Sequence, residues 1–139
     1  MFLLVSCESP INNRVLEGDL IQKKVESRYQ FLGYEVFIET KWLKGPIGKI
    51  SVENSLLVFV ANSKGEVVSL PQDLHVEFYS TMPSMGHPLE DAGYFEVLET
   101  GLYINRHIVY NMPGRWKQEV WLVDSSGNIV SKVEWYESF

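Results

Sequence analysis

Tyr34, Val36, Ile38, Thr40 and Trp42 alternate with Glu35, Phe37, Glu39 and Lys41. A period of two places the first set on one face of an extended strand and the second on the other. The pattern recurs: Leu74, Val76 and Phe78 alternate with His75, Glu77 and Tyr79, and Val67–Leu70 and Tyr94–Leu98 read as shorter strands. Leu102, Ile104, Ile108 and Tyr110 mark another, broken on its inward face by Arg106. Leu56 to Ala61 is a continuous apolar run, expected to be a central strand buried on both faces. Gly45-Pro46 with Gly48, Asn62–Gly65, Thr100-Gly101 and Pro113-Gly114 supply the turns. Asp124–Asn128 joins Arg115–Val123 to Ile129–Tyr136 as a final hairpin. Short strands with turns every 8–12 residues or so, and no crossover helix, predict an all-β fold. The expected architecture is an immunoglobulin-like antiparallel β-sandwich of about seven to eight strands.

The 139 residues suffice for one domain with a real core, and seven Phe, seven Tyr and four Trp favour strands. The sandwich is expected over 34–139. Residues 8–33 are polar and mixed, with Pro10, Asn12-Asn13 and Gly18, and read as a tether. A net charge of −6, with Lys23-Lys24 the longest basic run, argues against nucleic acid as a partner, because phosphate recognition requires clustered cations. No apolar stretch is long enough for a spanning helix.

Cys7 is the sole cysteine, so no intrachain disulfide forms. Leu4-Val5-Ser6-Cys7 resembles a bacterial lipoprotein processing box, in which cleavage precedes Cys7 and the thiol carries a lipid. Residues 1–7 are then the remnant of an export signal, although Phe2–Val5 is shorter than the apolar run such a signal needs. The competing reading is an incidental thiol near an apolar N-terminus. The lipoprotein reading implies a membrane partner through a lipid anchor at Cys7 and a periplasm-facing location. Glu8 lacks the aspartate that resembles an inner-membrane retention signal, which favours the outer membrane.

The segment Thr81-Met82-Pro83-Ser84-Met85-Gly86-His87-Pro88 concentrates two methionines and one histidine. Thioether and imidazole are soft-to-borderline ligands and suit Cu(I) better than magnesium or calcium. Pro83 and Pro88 restrict the loop, and Gly86 permits a bend returning His87 toward Met85. Counting strands up and down places the Asn111-Met112-Pro113-Gly114 turn at the same end of the sandwich. Met82, Met85, His87 and Met112 are therefore the candidate metal ligands. The competing reading is that the methionines fill the sandwich edge and pin a long loop. His75 and His107 have surface parity, and Trp42 and Trp116 have core parity.

These residues carry a resemblance. Met82-Pro83-Ser84-Met85-Gly86-His87-Pro88, Gly93-Tyr94 and Met112-Pro113-Gly114-Arg115-Trp116 resemble the pattern of YtkA-like and FixH-like domains, small extracytoplasmic β-sandwiches of bacteria. The resemblance spans roughly Tyr34 to Tyr136. It implies the sandwich fold, an extracytoplasmic location and, loosely, metal handling. A membrane metal-efflux or oxidase-assembly protein is the partner it implies. FixH-type proteins usually carry a membrane-spanning segment, and none is visible in this sequence.

Catalysis finds little support. No nucleophile elbow, phosphate-cradling glycine loop or His-Glu-x-x-His motif is present, and Asp73, Glu77, Glu90 and Asp91 show no paired spacing. The expectation is a non-enzymatic binding module, with a structural or protein-interaction sandwich without a metal as the alternative.

Overall fold

A computed structural model describes residues 28–139. Cys7, the signal remnant and residues 8–27 of the expected tether lie outside the described residues. Nine strands are described: β1 (Arg28–Gln30), β2 (Phe37–Lys44), β3 (Asn54–Ala61), β4 (His75–Met82), β5 (His87–Pro88), β6 (Phe95–Glu99), β7 (Leu102–Ile108), β8 (Arg115–Val123) and β9 (Ile129–Ser138). They form a five-stranded sheet, β1-β2-β3-β7-β6, and a four-stranded sheet, β5-β4-β8-β9, with every pairing antiparallel. The fold is an all-β sandwich. No helix among the described residues is long and apolar enough to cross a membrane.

The core lies between the sheets and follows the period of two. Ile38, Leu56, Val58 and Val60 from the first sheet meet Val76, Phe78, Trp116, Val120, Leu122 and Val133 from the second. Fully burying one such side chain is worth roughly 1.5–3 kcal/mol. Arg28–Gln30, inside the stretch expected as tether, pairs with β2, and the neighbouring Phe31 is fully buried. An aromatic residue at the end of a polar stretch was the sign that the sandwich starts upstream of Tyr34.

Three expectations need correction in detail. Leu56–Ala61 is central but is not buried equally on both faces: Leu56, Val58 and Val60 are fully buried, whereas Leu57 and Phe59 are only partly covered. The five-stranded sheet has a second layer on one side alone. The inward set of β7 also differs. Leu56 pairs with Asn105 and Val58 with Tyr103, so Tyr103 and Asn105 share the inner face, while Ile104 lies opposite Leu57 on the outer one. A bulge between Asn54 and Leu56 resets the register so that Ile108 faces inward again. Arg106 therefore does not interrupt the core; it reaches the Glu96 carboxylate on β6. Val67–Leu70 forms no strand and contributes only a bridge from Val67 to Ala61.

Candidate functional site

The β2–β3 connection, the β4–β5 hairpin, the β7–β8 connection and the C-terminal residue Phe139 meet at one end of the sandwich. Pro83–Gly86 turns the chain between β4 and β5. The Met82 carbonyl accepts from Met85 N–H (3.1 Å) and Gly86 N–H (2.8 Å), and Gly86 closes the turn at φ 67°, a conformation that costs glycine nothing. The return strand sets His87 directly opposite Met82. Residues opposite one another in an antiparallel pair share a face, so imidazole and thioether project to the same side of the hairpin. Gly86 thus returns His87 to a position opposite Met82.

Each ligand candidate has a distinct setting. Met82 is 3% exposed and packs in the core. Its Cε lies where a Cβ on Gly114 would come within 2.5 Å, so the missing side chain of Gly114 leaves room for the thioether. The His87 ring meets the indole of the fully buried Trp116 edge-on, with centroids 5.9 Å apart. Trp116 Nε1 in turn donates to the Met112 carbonyl (3.2 Å), and Met112 packs, half-buried, against the core. Met82 and His87 thus lie beside Gly114 and Trp116, and Met112 adjoins Trp116 through its backbone carbonyl. Met85 stands apart, 60% exposed at the hairpin tip.

His87 Nδ1 lies 3.2 Å from the Pro88 carbonyl oxygen. A carbonyl can only accept, so this bond assigns the proton to Nδ1 and leaves the Nε2 lone pair free to accept or to ligate. A hydrogen bond of this kind from the other ring nitrogen is the usual support of a metal-binding histidine. Among the described residues, no three His, Cys, Asp or Glu side chains come together in a group that could hold a metal ion. The donor set at this end is instead thioether and imidazole.

Behind Trp116 lies a polar network that the sequence reading missed. Gln118 is fully buried, and its Oε1 accepts from Ser80 Oγ (2.6 Å) and from Tyr110 Oη (2.7 Å). Its Nε2 donates to Glu137 Oε1 (3.2 Å). The same carboxylate oxygen accepts the indole N–H groups of Trp42 (3.0 Å) and Trp135 (2.9 Å). Burial pushes the Tyr110 phenol well above its ordinary range, and the nearby Glu137 charge pushes it further in the same direction. Its ring packs against Trp116 at 5.0 Å and Phe139 at 4.8 Å. The available signal was parity: Gln118 falls between Trp116 and Val120 in the inward set of β8. Trp42 and Trp116 do occupy core-facing positions, but Trp42 also carries a cross-sheet hydrogen bond.

The remaining histidines are not part of this end cluster. His75 Nε2 pairs with Glu77 (2.8 Å), and His107 Nδ1 pairs with Glu53 (2.9 Å) while stacking on Tyr94 at 5.0 Å.

No family model and no curated protein matches the chain. Among solved structures, it resembles FetP of uropathogenic Escherichia coli. A copper-bound variant of FetP matches with a TM-score of 0.51 at 11% identity, covering 79% of this chain and 89% of that one. FetP as isolated after recombinant expression in the periplasm of E. coli matches with a TM-score of 0.52 at 12% identity, covering 81% and 93%. At these identities the likeness is one of fold.

Proposed function

We propose that this chain is a non-enzymatic, extracytoplasmic copper-binding module, with Met82, His87 and Met112 as the protein donors for Cu(I). The observation that carries the proposal is the His87 ring: it stands opposite Met82 with Nδ1 bound to a backbone carbonyl and Nε2 left with a lone pair. Two thioethers and a neutral imidazole fit a soft monovalent ion and do not fit hard cations, which prefer carboxylate and carbonyl oxygens. The likeness to a copper-bound FetP supports the same reading. Met85, exposed at the hairpin tip, is assigned a role in capture and not in the resident ligand set. A lipid anchor at Cys7 and hand-over to a membrane metal-efflux or oxidase-assembly protein complete the proposal.

Competition titration with Cu(I) under reducing conditions tests it. Met82→Leu retains the buried volume and removes the sulfur, and His87→Gln retains polarity and removes the ring. The double variant should lose at least a hundredfold in Cu(I) affinity while keeping the wild-type far-ultraviolet spectrum. Equal affinity in wild type and double variant removes the site. The second reading, a structural or protein-interaction sandwich without a metal, rests on the near-complete burial of Met82 in the core. It predicts that wild type itself binds no Cu(I) above background.

A further inference from the structure

The end of β2 and the start of the β2–β3 connection have a composition unlike the rest of the surface. Between Lys41 and Ile50, Leu43 is 56% exposed, Ile47 40% and Ile50 62%, and Lys41, Lys44 and Lys49 are exposed beside them. No acidic residue occurs in that stretch, and Glu53, which follows it in the same connection, pairs with His107. None of these three lysines meets a carboxylate at ion-pair distance among the described residues. Most other cations are held: Arg28 by Glu39, Arg106 by Glu96, Lys117 and Lys132 by Glu119 and Glu134, and Arg115 over the Tyr136 ring. Glu66, Asp73 and Asp124, in turns or loops, and Glu99, at the end of β6, lie at the opposite end of the sandwich, and Glu90 and Asp91 lie beside Val109, beyond β7. Among the described residues, three of the four lysines that meet no carboxylate thus lie next to aliphatic side chains at one corner, the fourth being Lys64 at the opposite end.

That corner is held in place. The bulge between Trp42 and Lys44 leaves Leu43 without a β3 partner. Fully buried Asn54 accepts the Ile47 N–H at 2.7 Å and donates to the carbonyls of Ile47 (3.3 Å) and Ile108 (3.0 Å). Gly48 lies so close to the Met112–Pro113 backbone that a Cβ would sit 2.5 Å from the Pro113 nitrogen. The backbone is anchored inward while its aliphatic side chains point to solvent.

We infer that this corner, the end of β2 with the loop that follows it, is a docking surface for an anionic lipid bilayer, with Leu43, Ile47 and Ile50 entering the interface and Lys41, Lys44 and Lys49 meeting lipid phosphates. The residue types decide between lipid and protein. Protein interfaces are enriched in Tyr, Trp and Arg and depleted in Lys, whereas aliphatic side chains interleaved with lysine suit a bilayer. There the long ammonium stems keep their charge in the headgroups while apolar groups sink below. The inference is independent of copper.

Sedimentation of the full metal-free chain, unlipidated at Cys7, with phosphatidylcholine vesicles, with and without phosphatidylglycerol, tests it. The chain should partition onto the anionic vesicles alone and release as salt rises. Lys41→Gln with Lys44→Gln and Lys49→Gln should lower partition by about two orders of magnitude. Ile47→Ser with Ile50→Ser should lower it roughly tenfold or more. Lys64→Gln, which removes an exposed lysine at the opposite end, should leave it unchanged. Equal partition onto both vesicle types, no partition, or full partition by the loop variants would each overturn the inference. Self-association abolished by the same substitutions, without vesicle binding, would give the surface to a second copy of the chain.

Discussion

The Trp42 indole on β2 donates across the sandwich to the Glu137 carboxylate on β9, at 3.0 Å to Oε1 and 3.2 Å to Oε2. One side chain from each sheet thus bonds the two layers where apolar contact does most of the joining. The carboxylate is satisfied by three separate donors, the Trp42 and Trp135 indoles and the Gln118 amide. Removing the acceptor leaves all three unpaired. Glu137→Leu should cost about 2–4 kcal/mol and Trp42→Phe about 1–2 kcal/mol, measured by urea denaturation. A double-mutant cycle should show coupling between the two sites. Strict additivity would mean that the bond contributes nothing.

Gly114 stands at φ 151° with the Met82 methyl where its side chain would be. Gly114→Ala should destabilise by about 1–2 kcal/mol, because the thioether end is flexible and can swing aside. In swinging, it would leave the face shared with His87. Cu(I) affinity should therefore fall more steeply than stability, and Met82→Leu with Gly114→Ala should bind no worse than Met82→Leu alone. Equal losses in affinity and stability would show that the sulfur is not a ligand.

Asn54 serves three backbone groups from a fully buried position, two on Ile47 and one on Ile108. Asn54→Ala should cost about 2–4 kcal/mol and speed amide exchange at Ile47 before any other strand opens. An unchanged exchange rate there would mean that the loop holds its shape without the asparagine.

Tyr110 supplies a pH dependence with a definite sign. Its folded-state pKa is raised, chiefly by burial, so the folded chain keeps a proton that the unfolded chain loses. The stabilisation is fully present below about pH 10, the ordinary tyrosine range, and declines as pH rises beyond it, by about 1.4 kcal/mol per pH unit for one proton. Tyr103 and Lys132 are also raised and add to the alkaline loss. Tyr110→Phe should be less stable at pH 8, through loss of the bond to Gln118, yet its alkaline slope should be shallower by one proton. Identical slopes would mean that the phenol ionises in both states alike.

Strand positions were legible because side-chain parity is a local property. Val36, Ile38, Val76 and Phe78 fall inward as their spacing requires. Parity failed at Ile104, because a bulge depends on the partner strand and not on the strand that carries it. At the candidate site, counting strands was enough to put the Met112 turn beside the β4 hairpin. The hairpin's pairing was not legible: Met82 opposite His87, with Met85 at the tip, follows from a turn whose register Gly86 sets. The Glu137 hub was also invisible, since its donors come from β2, β8 and β9.

The four-stranded sheet ends on one side at β5, a strand of two residues, the second of which is Pro88. Proline has no N–H to offer, so a foreign strand approaching that border would find a template too short to hold it and short of a donor. The opposite border is β9, ten residues long, where the Ser131 hydroxyl already bonds the Leu32 carbonyl. Edge-to-edge growth of this sheet is therefore stopped at one margin, and pairing through the other could join two copies but could not continue into a chain of subunits.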